Sequence, residues 1–370
     1  MSDEKPLSLF KQYRKMFPSE SYQFRAVNYA QTNSLKTAEF VSPMHPDKIC
    51  DRIADSILDE CLKQDPDSRV AVEVLGGHKK IVVMGEISTK AKIDIKEIVE
   101  KEINNPEFEI SINITSQSNE ISKGVDVGGA GDQGIMIGYA CDENEEMVPL
   151  EYYYARSLCK FIYERYPYDG KTQVTVNSED KTIHQVVASF QNVTKNQLRE
   201  VLKDWLTKEK IQELSHIGLF LNSAGDWTVG GFDADTGLTG RKIVVDSYGP
   251  RIPVGGGSFS GKDPTKVDRS GALMARRLAV QLFNKKQCKE VMVKVSYAIG
   301  NPDPLDVCIS ILPKDEKYWY ILFDGDICDS FTLCHIIKGL DLKKPQYREL
   351  SMWGHFGNGN LWDKCPGIDN

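Results

Sequence analysis

The chain has 370 residues, 41% of them hydrophobic and 27% charged, with a formal net charge of -7. That composition excludes a collagenous, low-complexity or wholly disordered chain, and the acidic balance removes the bulk charge expected of a binder of nucleic acid or anionic membrane. No run approaches about 18 apolar residues, so no membrane-spanning helix is expected; nine scattered cysteines without a CxxC pair point to reduced thiols in a cytoplasmic enzyme.

Residues 1–36 have no apolar core of a secretory signal and mix early acidic residues with aromatics such as Phe10, Tyr13 and Phe17. They are expected to be an extension that packs on the body or on a partner. Pro46 to Gln64 is a predicted helix, because Ile49, Ile53, Ile57 and Cys61 recur at spacing four. Arg69–Leu75 and Ile81–Ile87 are apolar β-branched runs joined by Gly76-Gly77-His78-Lys79-Lys80, the pattern of a hairpin. A helix over 94–103 and strands over 108–115 and 135–140 follow. The pattern recurs with a helix over 150–165, strands over 172–176 and 183–190, a helix over 195–208 and a strand over 217–222. It recurs again with a helix over 264–284, strands over 290–298 and 306–312, and helices near 330–340 and 344–350. Strand pairs interleaved with helices imply an α+β layering, with sheets covered on one face, and three similar blocks imply an internal three-fold repetition.

Two glycine-rich segments invite a nucleotide reading. Gly129-Ala130-Gly131-Asp132-Gln133-Gly134 matches GxGxxG, but it opens an apolar, strand-like run, whereas a dinucleotide fingerprint must follow a strand and open a helix. Gly256-Gly257-Ser258-Phe259-Ser260-Gly261-Lys262 nearly matches a phosphate loop, yet Asp263 stands where the Mg²⁺-binding Ser or Thr belongs. It still reads as an anion site. Asp263 as N-cap and Pro264 as first helical residue predict a helix start there, which would bring the loop amides, Lys262 and Lys266 to one place.

Charge also interrupts apolar strands at Glu73 and Glu86. His45, Asp47 and Lys48 cluster at a helix start, where Asp47 suits the first turn. Gly237-Leu238-Thr239-Gly240-Arg241-Lys242 is a tight basic turn expected to enter a strand at Ile243-Val244-Val245.

Taken in order from about Glu39 to Trp362, these segments resemble the methionine adenosyltransferase (S-adenosylmethionine synthetase) family. The carriers are His45-Pro46-Asp47-Lys48, the GAGDQG and GLTGRK segments, Gly255 through Ser270, Ser296-Tyr297-Ala298-Ile299-Gly300 and His355-Phe356-Gly357. The resemblance implies three α/β-layered domains related by pseudo-three-fold symmetry, with antiparallel or mixed sheets and helices on one face. The segments would be an extension over 1–36, an N-terminal domain over 37–120, a central one over 121–232 and a C-terminal one over 233–365, interwoven in space. It implies a homodimer or dimer of dimers with active sites at the subunit interface, and ATP and L-methionine as substrates.

The implied reaction is attack of the methionine sulfur on C5′ of ATP, then hydrolysis of the bound tripolyphosphate to phosphate and diphosphate. A thioether needs no general base, so the enzyme must align the reactants and stabilise an anionic leaving group. By resemblance, His45, Lys171, Arg241, Lys262 and Lys266 are catalytic, with His45 donating near the departing oxygen. ATP would be held by Glu39, His45, Asp132, Asp169, Gly170, Lys171, Asp226, Trp227, Asp235, Arg241, Lys242, Ser258 and Lys262. Methionine would meet Glu86, Gln117, Asp235 and Lys266, the last two contributed by a partner chain. Asp47 and Asp268 would hold Mg²⁺, two ions per site, and Glu73 would sit at a K⁺ site.

The sequence departs from the family pattern at Pro43-Met44, at Phe190-Gln191-Asn192, and in a shortened loop between Gln117 and Asp132, for which gating by a mobile segment is expected. A catalytically silent regulatory paralogue of the same fold would have no reason to keep His45, Asp47, Lys171, Arg241, Lys242, Lys262, Lys266 and Asp268 together. An ordinary phosphate-loop NTPase is excluded by Asp263.

Overall fold

The computed structural model describes residues 25–27, 34–116, 129–211, 216–286, 288–316, 319–323 and 330–364. Gln117 and most of the shortened loop, and most of the N-terminal extension, lie outside the described residues.

The first block is β1 (Arg25–Val27), β2 (Leu35–Val41), α1 (Pro46–Gln64), β3 (Arg69–Gly77), β4 (Lys80–Ser88), α2 (Ile95–Ile103) and β5 (Glu109–Thr115). The β3–β4 hairpin is turned by His78 and Lys79 at φ 51° and 65°, the paired left-handed conformation that matches strand twist in a two-residue turn. On α1 the predicted stripe Ile49, Ile53, Ile57 and Cys61 is buried. Helix α2 starts at Asp94, whose carboxylate takes the Glu97 N–H at 3.1 Å, and stops at Asn104 in the left-handed region.

The second block is β6 (Gly134–Cys141), α3 (Leu150–Tyr163), β7 (Gly170–Asn177), β8 (Ile183–Phe190), α4 (Lys195–Lys208) and β9 (Gly218–Leu221). Thr194 and Gln197 form a reciprocal capping box that starts α4. The third block is β10 (Gly237–Leu238), α5 (Ile243–Asp246), α6 (Val267–Lys286), β11 (Cys288–Tyr297), β12 (Asp306–Pro313), β13 (Trp319–Phe323), α7 (Leu333–Gly339) and α8 (Tyr347–Trp353).

Among the described residues three sheets result, in the orders β1-β13-β12-β11-β6, β10-β3-β4-β5 and β2-β7-β8-β9. Each is built on an antiparallel hairpin, and two of them add a parallel strand, β5 beside β4 and β9 beside β8. Three further pairings are cyclic. The strand before α1, β2, joins the second hairpin at β7. The strand before α3, β6, joins the third at β11. The strand before α6, β10, closes the ring on β3 of the first.

Two local expectations need correction. Ile243–Val245 is not a strand but the first turn of α5, where the Asp246 N–H bonds back to Lys242 C=O at 2.8 Å. A run of three β-branched residues cannot by itself distinguish the two. Helix α6 begins at Val267 and not at Pro264. The Asp263 carboxylate closes a turn on Thr265 instead, accepting both its N–H at 3.0 Å and its hydroxyl at 2.6 Å.

Candidate active site

Helix α1 organises the site. His45 is its N-cap, extended at φ -62° and ψ 136°, and its Nδ1 accepts the Asp47 N–H at 3.2 Å. With Nδ1 accepting, a neutral ring carries its proton on Nε2, which is left as a donor. The ring is neutral: burial, then the nearby Lys242 and Lys171 ammonium groups, lower its pKa to about 3.

Asp47 accepts the Leu238 N–H at 2.9 Å and Lys242 Nζ at 2.5 Å, and Arg241 Nε lies 3.8 Å away. Burial alone would raise its carboxyl, but the Lys242 bond and the Leu238 N–H outweigh it and hold the pKa below the ordinary carboxylate value.

Three more aspartates continue down the same helix at spacing four. Asp51 accepts the Gly240 N–H at 2.8 Å and Lys48 Nζ at 2.9 Å, while Lys48 also reaches Asp246. Asp55 accepts the Gly261 N–H at 2.8 Å and takes Arg269 Nη2 on both oxygens, at 2.7 and 2.9 Å. Asp59 accepts the N–H groups of Gln346, Tyr347 and Arg348 at the start of α8. The rungs are about 6 Å apart. The upper three hold the GLTGRK turn and the glycine-rich loop against one helix. Asp51, Asp55 and Asp246 escaped sequence reasoning, although the spacing of Asp51 and Asp55 on the face opposite the apolar stripe was a usable signal.

The same two segments finish the open edge of β3. Thr239 N–H bonds to Val74 C=O, Val72 N–H to Gly261 C=O, and Asp263 N–H to Val70 C=O, at 2.9–3.0 Å. They also touch one another. Gly240 stands at φ 79°, and a Cβ there would lie 2.6 Å from that of Ser258. A Cβ on Gly257 would lie 2.0 Å from the Asp268 carboxylate.

Around His45, Asp169 is buried and accepts the Gly231 N–H at 2.9 Å, with burial raising its carboxyl pKa. Gly170 begins β7 under the Phe190 ring, and Lys171 next to it is exposed. Asp235 and Glu39 are exposed. Trp227 is half-buried, its indole N–H on Ser189 Oγ at 3.0 Å. Asp226 is taken up locally, accepting the Lys195 N–H at 2.9 Å. Asp132 accepts the N–H of its neighbour Gln133.

A second group forms beyond the β3–β4 hairpin. Glu73 lies opposite Met84, and Ala71 opposite Glu86, so both glutamates share the exposed face. With Asn113, Thr115, Ser258 and Lys262 they line a cleft of about 490 Å³. Lys262 Nζ bonds to Asp268 Oδ2 at 2.5 Å, whereas Lys266 is buried against Asp263. The two ammonium groups therefore have different carboxylate partners. Among the described residues no three His, Cys, Asp or Glu side chains are grouped to cage a metal ion. Asp47 and Asp268 each offer one carboxylate beside a lysine, a donor set suited to a hard cation that arrives with phosphate oxygens.

Comparison with known proteins follows the same segments. Models of the N-terminal, central and C-terminal domains of S-adenosylmethionine synthetase match residues 33–127, 127–227 and 229–364. The chain is 38% identical to the S-adenosylmethionine synthase of Brachyspira hyodysenteriae, covering 87% of this chain and 92% of that one. It is 39% identical to that of Treponema denticola, covering 89% and 95%. The solved structure of an unusual S-adenosylmethionine synthetase from Campylobacter jejuni superposes with a TM-score of 0.79 at 31% identity, over 90% of this chain and 97% of that one. With all three domain models matched in order and the fold shared, the chain belongs to the S-adenosylmethionine synthetase family, the methionine adenosyltransferases.

Proposed function

We propose that the enzyme makes S-adenosyl-L-methionine from ATP, L-methionine and water in two steps on one site. The methionine sulfur attacks C5′ in line and the triphosphate leaves; the tripolyphosphate is then hydrolysed to phosphate and diphosphate before release. The observation that carries this reading is His45, a neutral imidazole whose Nε2–H is free to donate while Lys242 and Lys171 stand close enough to depress its pKa. A neutral donor beside fixed cations suits an oxygen on which negative charge grows.

In this reading Lys171, Arg241 and Lys242 receive the triphosphate, and Asp169, Gly170, Asp226, Trp227, Glu39, Asp132 and Ser258 position the nucleoside and its phosphates. Lys262 draws tripolyphosphate toward the glycine-rich loop. Glu86 grips the methionine ammonium, with Gln117, Asp235 and Lys266 completing that subsite. Asp47 and Asp268 would each lend a carboxylate to one of two Mg²⁺ ions, which neutralise polyphosphate charge, and Glu73 would face K⁺.

The working unit in this reading is a homodimer or a dimer of dimers. Supporting it, Leu75 and Met84 are exposed on the same sheet face as Glu73 and Glu86, and a second copy would bury them beside the site. A cytoplasmic location agrees with the free thiols of Cys50, Cys61, Cys141 and Cys159.

The test is product formation from ATP and methionine, followed together with phosphate release. His45→Ala should lower turnover by ~10²–10³ while ATP binding persists. Wild-type turnover in that variant would remove His45 from the mechanism.

A further inference from the structure

The two residues that give the GLTGRK turn its charge, Arg241 and Lys242, lie between two backbone bonds. On one side the Gly240 N–H goes to Asp51 Oδ1 at 2.8 Å. On the other the Lys242 C=O receives the Asp246 N–H at 2.8 Å. Asp51 belongs to α1 and Asp246 to α5, and one side chain joins them. Lys48 Nζ bonds to Asp51 Oδ2 at 2.9 Å and to Asp246 Oδ1. All three residues are buried.

Both ends of this bracket are fixed in the core. Helix α1 is held by its apolar stripe. Helix α5 is held by the Tyr152 hydroxyl, which donates to Val245 C=O at 2.8 Å, and by the His355 N–H, which donates to Asp246 C=O at 2.9 Å. Lys48 ties the two together where the turn crosses from one to the other. A buried ammonium between two carboxylates adds little stability beyond that of well-packed apolar residues of the same volume. What it supplies is direction, because its N–H donors meet two acceptors at once. Inside the bracket, Lys242 is bonded to Asp47, whereas Arg241 is exposed and its Nε lies 3.8 Å from Asp47, beyond hydrogen-bond distance. The path of Arg241 therefore depends on the backbone beneath it, which Gly240 enters at φ 79°.

We propose that Lys48 is a positioning residue for the triphosphate: by tying Asp51 to Asp246 it fixes the backbone from Gly240 to Lys242, and so the direction in which Arg241 leaves the turn. That Arg241 receives triphosphate rests on the function proposed above.

The experiment follows synthesis by the full-length enzyme, with ATP and methionine varied separately. Lys48→Met and Asp246→Ala each open the bracket. The second leaves Lys48 paired with Asp51, so it decides alone should the first fail to fold. The expected result is KM for ATP raised and kcat lowered, each about tenfold, with KM for methionine unchanged. A lysine that only holds the fold together would reduce the active fraction, which scales kcat and leaves both KM values alone. Combined with Arg241→Ala, either variant should add little further loss, because the group it positions is already gone. Wild-type KM for ATP in both variants, or losses that multiply with Arg241→Ala, would overturn the proposal. If the unmodified enzyme makes no product, or Arg241→Ala handles ATP as wild type does, the proposed function fails and this role with it. Indifferent Lys48 and Asp246 variants beside an impaired Arg241→Ala remove only the role of Lys48.

Discussion

His45 and Asp47 sit two residues apart and both keep the protonation state their surroundings favour, but they act on stability in different pH ranges. An unfolded histidine titrates near 6.5, while His45 in the folded chain titrates at about 3. As pH falls through 6.5 the unfolded chain gains a proton that the folded one refuses. Stability is therefore complete above that value and declines below it; the Asp47 contribution, from a lowered carboxylate, is lost only at more acidic pH. Urea unfolding of wild type and His45→Gln at pH 7.5 and 5.5 should show a smaller loss in the variant. A His45 resonance titrating near 6.5 would contradict the assignment.

The two loop lysines should also separate. Lys266 is buried against Asp263, which is itself inaccessible, so Lys266→Met leaves a buried carboxylate short of its cation. Breaking such a pair typically costs ~3–5 kcal/mol. Lys262 is more exposed, so its loss should lower the thermal midpoint less than that of Lys266 while slowing tripolyphosphate hydrolysis. Equal midpoints in the two methionine variants would show that the Asp263 pair is not structural.

At the scale of elements, α1 is a helix with two working faces. Its apolar stripe supports the core and its aspartate ladder fixes loops that arrive from the C-terminal third of the chain. Asp59→Ala removes the acceptor for three N–H groups at the start of α8 and should cost ~0.5–2 kcal/mol in chemical denaturation. Asp55→Ala strands Arg269 and should cost more, on the order of 3–5 kcal/mol. If Asp59→Ala proves the more damaging, the ladder is not read correctly.

The sequence made the first face legible through period alone, and it gave the β8 strand and the α4 helix their observed bounds. The second face was hidden because an exposed Asp series on a helix is ordinarily just solvated; only the loops that fold back upon it reveal its use. Strand β2 was missed for a related reason. Its buried residues, Ala38, Phe40 and Val41, are interrupted by exposed Glu39, and its partner β7 lies more than a hundred residues on. Among the site residues, His45, Asp47, Arg241 and Lys242 were identified through their motifs and do come together. Lys262 and Lys266, expected to serve one ligand, pair with different carboxylates, because Asp263 closes a turn and takes Lys266.

For the whole molecule the decisive property is the cyclic exchange of strands. Each block sends the strand before its helix to another block's hairpin, so no block holds a complete sheet of its own. The three sheets should consequently unfold together. A single calorimetric transition with matching calorimetric and van't Hoff enthalpies is expected, and residues 34–116 expressed alone should lack a cooperative transition. Well-separated transitions would mean that the exchanged strands carry little of the stability.

The completed edge of β3 bears on how the chain is made. Its hydrogen-bond partners on that side, Thr239, Gly261 and Asp263, are encoded long after the β3–β4 hairpin, with about 175 residues between Ser88 and Asp263. At ~5–20 residues per second a ribosome needs roughly 9–35 s to deliver them. Through that interval the nascent strand, with Val70, Val72 and Val74 along it, presents an open edge of the kind that captures other chains. Slow codons placed between residues 88 and 237 should therefore lower soluble yield, while the same codons placed after residue 263 should not.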